Sequence, residues 1–168
     1  MNRIIFLDID GVLNSNFWND SHQREISDGT LVDSEKVKLL AMLVKRTNAK
    51  IVLHSGWKYW FDQDLKPLRP EVENLLMLFK KEELLLGDIT PNYSTEEIRR
   101  NKKFSLVKAT EILAWLAEHN DVDNWVVIDD LDLHRKEIEM HQVKTDPSIG
   151  LTIDDVYKAE KILLDEYT

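Results

Sequence analysis

The sequence predicts an α/β fold in which a mostly parallel sheet of about five strands lies between layers of helices. Three observations point there. Short apolar runs of strand length alternate with stretches of helical periodicity along the whole chain. The runs are apolar on consecutive residues, as in strands covered on both faces, where a half-solvated strand would alternate. Polar and acidic groups follow directly where three of those runs end, and ligands bind beyond the carboxyl ends of strands in open parallel sheets.

The strand-like runs are Ile4 to Leu7, Ile51 to Leu53, Leu84 to Leu86, Trp125 to Ile128 and, more weakly, Met140 to Val143. Between them, Val37, Leu40, Ala41 and Val44 share one helical face, as do Ala109, Ile112, Leu113 and Leu116. Leu75, Leu76 and Phe79 mark a further helix after Pro70. Thr152-Ile153-Asp154-Asp155 has the form of a capping box and opens a last helix running toward Tyr167. Strand, helix, strand connections of this kind imply right-handed crossovers. The longest irregular stretches, Ser15 to Asp33 and Lys58 to Arg69, both leave the edge where the polar groups gather. There is no internal repeat, low-complexity tract or long linker, so residues 1–168 are expected to form a single domain large enough to bury a core without staples.

Composition removes several classes of function. With no cysteine, disulfides, thiolate nucleophiles and cysteine-based zinc sites are excluded, and a reducing cytoplasm is the expected compartment. No apolar run approaches membrane-spanning length and no secretory leader is evident, so no membrane association and no obligatory protein partner are expected. A formal charge of −9 opposes a large sequence-independent nucleic-acid footprint, since that affinity comes from lysine and arginine neutralising phosphates. Arg99-Arg100-Asn101-Lys102-Lys103 is the one concentrated basic patch, read first as a solvated loop and second as a phosphate-attracting rim.

The first strand-like run stops at Asp8-Ile9-Asp10-Gly11. Carboxylates are rarely buried unless paired or metal-bound, so two of them at a strand end point to a cation and an electrophile. From this segment alone, a solvated turn at Asp10-Gly11 is an equal alternative. Convergence favours the first: the second run ends at His54-Ser55-Gly56-Trp57 and the fourth at Asp129-Asp130-Leu131-Asp132. No Gly-x-x-x-x-Gly-Lys, Gly-x-Gly-x-x-Gly or Gly-x-Ser-x-Gly pattern occurs, which argues against nucleotide-dependent kinases, dinucleotide enzymes and serine hydrolases. The five histidines lack helical metal spacing. His54 is expected to shape the site edge, and His22, His119, His134 and His141 to lie on the surface.

Four motifs in order, FLDIDGVLN at 6–14, IVLHSGW at 51–57, a lysine in FSLVKATEILAWL at 104–116 and WVVIDDLDL at 125–133, resemble those of the haloacid dehalogenase (HAD) superfamily over nearly the whole chain. The tail HQVKTDPSIGLTIDDVYKA further resembles a small branch found as a domain in RNA-repair proteins of the Swiss Army Knife type. The resemblance implies a three-layer, Rossmann-like HAD fold and a phosphatase. It makes Asp8 the nucleophile, forming an aspartyl-phosphate, and Asp10 the acid and base. A second acid favours phosphoryl transfer over dehalogenation.

By the same resemblance, Mg2+ would be held by Asp8, the Asp10 backbone carbonyl and Asp129, with Asp130 the second choice as ligand or outer partner. Asp132 would be a helix cap or surface acid. Ser55, helped by backbone amides at Gly56 and Trp57, would bind a phosphate oxygen, and an ordinary strand-end turn is the bland alternative. Lys108, after a cap at Ser105, would neutralise the transferring phosphoryl group; Lys102 and Lys103 are its rivals.

HAD members choose substrates largely through cap insertions, and Asn14 to Asp33 is too short for a full helical cap. A minimal cap or none suits a nucleotide or nucleic-acid terminal phosphate, with small-metabolite phosphates as the alternative and a non-catalytic phosphate-binding module as a third, different class. Phe17, Trp18, Trp57, Tyr59 and Trp60 could stack a base at the rim, although core packing is the commoner fate of tryptophan.

Overall fold

A computed structural model of the chain describes residues 1–15, 32–96 and 104–165. Its centre is one five-stranded, all-parallel sheet: β1 (Arg3–Leu7), β2 (Lys50–Leu53), β3 (Leu86–Ile89), β4 (Asn124–Asp129) and β5 (Gln142–Lys144). They lie in the order β3-β2-β1-β4-β5. The chain steps outward from β1 through β2 to β3, then returns to the other side of β1, so the topological switch falls between β1 and β4.

Among the described residues, five α-helices accompany the sheet: α1 (Ser34–Thr47), α2 (Pro70–Lys81), α3 (Phe104–Glu118), the single turn α4 (Lys136–Glu139) and α5 (Ile153–Leu163). The unbroken apolar run of β1 is explained by its two covered faces. Ile5 and Leu7 join a core with Val37 and Leu40 of α1, Leu75 of α2 and Val156 of α5. Ile4 and Phe6 join a second with Ala109, Ile112 and Trp115 of α3 and Ile138 of α4. Phe6 meets Trp115 and Trp125 edge-on, with ring centroids at 5.4 and 6.0 Å.

Local signals set some element boundaries and are overridden at others. Thr152 caps α5 reciprocally with Asp155, as the capping box requires. That helix ends at Leu163, short of Tyr167, which lies outside the described residues. The third strand is displaced from Leu84–Leu86 to Leu86–Ile89: Leu84 is buried in the first core, while Gly87 falls at the register shift between the Ile51–Leu86 and Val52–Asp88 pairs, where a Cβ would stand 3.1 Å from the Ile51 carbonyl. Ser105 is already inside α3 and is not its cap.

Candidate functional site

The sheet brings the strand-end polar groups to one edge. Hydrogen bonds carry the registers just past the strands: the Asp8 N–H donates to the Ile128 carbonyl (3.0 Å) and the His54 N–H to the Leu7 carbonyl (3.1 Å). Asp8, His54 and Asp129 therefore sit side by side on three adjacent strands. One carboxylate oxygen from each of Asp8, Asp129 and Asp130 lies within 4.8 Å of the others. Into this group α3 projects Lys108, whose Nζ is 2.9 Å from Asp129 Oδ2 and 3.3 Å from Asp8 Oδ2.

Burial sharpens the electrostatics. Asp8 is 4 % exposed and Asp129 fully buried. Burial and the neighbouring Asp129 charge push the Asp8 carboxyl well above the ordinary carboxylate range, against the pull of Lys108. Burial acts on Asp129 in the same sense, but His54 Nε2 at 2.7 Å, Lys108 and the Leu131 N–H hold it below the usual range. Asp130 is raised by burial and by Asp129, and Lys108 is raised, in spite of burial, by Asp8 and Asp129. Burial lowers His54, against the pull of Asp129 beside its Nε2, and its buried Nδ1 has no hydrogen-bond partner among the described residues.

The loop after β1 is built to admit this cluster. Gly11 has φ +81°, and a Cβ there would stand 2.6 Å from the Asp130 carboxyl. The Gly11 carbonyl accepts from the buried Thr145 hydroxyl at 2.7 Å, and Leu151 N–H donates to the Val12 carbonyl at 2.7 Å. Asp10 lies at the exposed mouth, where Trp57 and Asn14 donate to its two oxygens.

Ser55 is buried and its Oγ accepts from the Trp57 N–H (3.2 Å), capping a short 3-10 helix, Gly56–Trp60. Such an oxygen still has its own hydrogen to donate. Gly56 is exposed beside it. Asp8, Asp10, Ser55, Gly56, Lys108 and Asp130 all line one cleft of about 330 Å³. Lys102 and Lys103, with Arg99 and Arg100, Phe17, Trp18 and His22, lie outside the described residues.

Of the two roles expected of Asp132, the surface acid is the one observed: it is exposed and accepts from the His134 N–H, while Arg135 stands at the start of α4. Other expectations change. Trp57 is 3 % exposed and packs on Trp60, so it offers no face to a base. His119 and His141 are half-buried and stack on Trp115 and Trp125, at 3.6 and 3.8 Å, where a surface position was expected.

One feature of the cleft escaped the sequence altogether. Lys58 and Glu111 form a buried ion pair at 2.8 Å. Lys58 also donates to the Thr90 hydroxyl and the Pro91 carbonyl, and Glu111 accepts from the Tyr93 N–H. Periodicity held a clue to Glu111, which continues the inward face of α3 marked by Lys108, Ile112 and Trp115.

Compared with known proteins, the chain matches, over residues 4–156, the model of the HAD domain in Swiss Army Knife RNA repair proteins. The chain belongs to that family. No match was found among curated proteins or among solved structures. As a HAD domain it points to phosphatase-type hydrolysis of a phosphorylated substrate, and the superfamily typically uses Mg2+. Among the described residues, no helix is long and apolar enough to cross a membrane.

Proposed function

We propose that this HAD domain is a Mg2+-dependent phosphomonoesterase that works through an aspartyl-phosphate, and that the chain acts as one catalytic unit. The observation that carries the reading is the meeting of three carboxylates, from the ends of two adjacent strands, with Lys108 bridging two of them, Asp8 and Asp129. Among the described residues the carboxylates outnumber the ammonium, and hard oxygen donors in that number suit a magnesium ion. Asp8, Asp129 and Asp130, with the Asp10 carbonyl, would hold it. When bound, it supplies Lewis-acid neutralisation of the charge on the phosphate oxygens.

The protein's own groups divide the remaining work. Asp8 Oδ attacks phosphorus and the bond to the ester oxygen breaks, while Asp10 gives its proton to that oxygen, which leaves as the alcohol. Water then attacks the aspartyl-phosphate and passes a proton to Asp10. The bond between phosphorus and Asp8 oxygen breaks, releasing inorganic phosphate and the free Asp8 carboxylate. Lys108 neutralises charge on the phosphoryl oxygens and on Asp8. Ser55 and the Gly56 amide orient the phosphate; the Trp57 amide, expected to join them, is instead taken up by Ser55 Oγ.

A nucleotide or nucleic-acid terminal phosphate is the preferred substrate. Tyr59 and Phe104 support this, since both line the cleft with exposed rings (44 % and 42 %) on which a base can stack. Asp8→Asn should abolish hydrolysis of p-nitrophenyl phosphate in Mg2+ with the thermal midpoint kept; retained turnover rejects Asp8 as nucleophile. A panel of 3′- and 5′-phosphorylated oligonucleotides, mononucleotides and sugar phosphates ranks the substrates, and a preference for sugar phosphates rejects the nucleic-acid reading.

A further inference from the structure

We propose that Trp57 and Asn14 are positioning residues that clamp the Asp10 carboxyl in the orientation from which it serves the leaving oxygen; the inference rests on the phosphatase reading above. Asp10 stands at the exposed mouth of the cleft on a short side chain, where a free carboxyl rotates among rotamers. Here both oxygens are held. The Trp57 indole Nε1 donates to Oδ2 at 3.2 Å and the Asn14 amide Nδ2 to Oδ1 at 3.0 Å. Asn14 is itself fixed, because its Oδ1 accepts from the Gly11 N–H at 2.9 Å.

The indole is the more rigid of the two donors. Trp57 is 3 % exposed, its backbone N–H donates to Ser55 Oγ, and its ring lies 5.2 Å from that of Trp60. A ring serving only to fill the core needs no N–H, and a buried indole N–H requires an acceptor. Here that acceptor is the second carboxylate of the strand-one motif, 47 residues away in the chain. Trp57 thus joins the segment carrying the phosphate-binding serine to the proposed acid and base. Angular placement of a proton donor governs its effectiveness, so loss of the clamp should slow the proton-dependent step more than it weakens binding.

The test replaces Trp57 by phenylalanine, which keeps a ring and removes the donor, and separately Asn14 by alanine. The value of kcat/KM covers the steps up to the aspartyl-phosphate, so it is measured for an alkyl phosphate, whose alkoxide needs a proton, and for p-nitrophenyl phosphate, whose phenolate leaves without one. The ratio of the alkyl to the aryl value should fall about tenfold in Trp57→Phe, and in the same direction in Asn14→Ala. Equal losses on both esters, or an unmoved ratio, overturn the clamp. Asn14→Ala carries the test alone if Trp57→Phe does not fold. A wild-type protein inert toward both esters rejects the phosphatase reading and the clamp together, whereas an active wild type with an unmoved ratio rejects only the clamp.

Discussion

Two buried clusters of charge share the walls of one cleft, and both hang from α3, where Lys108 and Glu111 are separated by about one turn. The Lys58–Glu111 pair is balanced. One cation meets one anion at 2.8 Å, Lys58 also donates to Thr90 and Pro91, and Glu111 accepts from the Tyr93 N–H. Among the described residues the cluster at the strand ends is unbalanced, with three carboxylates and one ammonium, and the Asp8 carboxyl is driven upward by burial and by Asp129. Burial of charge alone therefore does not mark a working site. A satisfied pair braces the fold, while an uncompensated excess of one sign is what a cation and a phosphate can use.

The largest effect expected is on the balanced side. Lys58→Met strands Glu111 without its cation and should cost about 3–5 kcal/mol of stability in urea unfolding, whereas the double variant Lys58→Met with Glu111→Met should recover most of that loss. If the double variant is no better than the single ones, the pair is more than a local brace. Lys108→Met, on the unbalanced side, should lower kcat/KM for p-nitrophenyl phosphate by about a hundredfold to a thousandfold, a magnitude typical of removing one group that faces developing charge. Near-normal turnover would move that task to another cation.

A smaller effect should come from the loop. Gly11→Ala forces a side chain into the Asp130 carboxyl at positive φ and should cost about 1–3 kcal/mol, together with much of the rise in thermal midpoint that Mg2+ is expected to give the wild type. Smallest is Asp130→Asn. Removing one charge from the crowd should stabilise the metal-free protein by about 1 kcal/mol, read as a midpoint a few degrees higher, while shrinking the Mg2+-dependent shift. A lower midpoint without metal would show Asp130 to be a satisfied structural group.

How far these features could be read in advance follows the range of the forces involved. β1, β2 and β4 were legible because burial on both faces demands uninterrupted apolar residues, and Asp8 and Asp129 because acids at such strand ends conflict with their surroundings. Helix starts set by local hydrogen bonds, as at Thr152, were equally plain. β3 was misplaced since Leu86–Ile89 contains Gly87 and Asp88, both poor strand formers, and its pairing with β2 overrides them. The Lys58–Glu111 pair and the Trp57–Asp10 bond join residues 53 and 47 apart by number, with no shared period to announce them.

The acidic turn after β1 is held from far along the chain: the Thr145 hydroxyl and the Leu151 amide both grip it, and Gly150, at φ +83°, is so close that a Cβ would stand 2.8 Å from the Asn14 carbonyl. The two aspartates are thus translated well before the residue that clasps their turn, 134 positions further on. A nascent polypeptide stalled before residue 145 would carry Asp8 and Asp10 without that clasp, so the turn can take its final form only once the later segment has arrived.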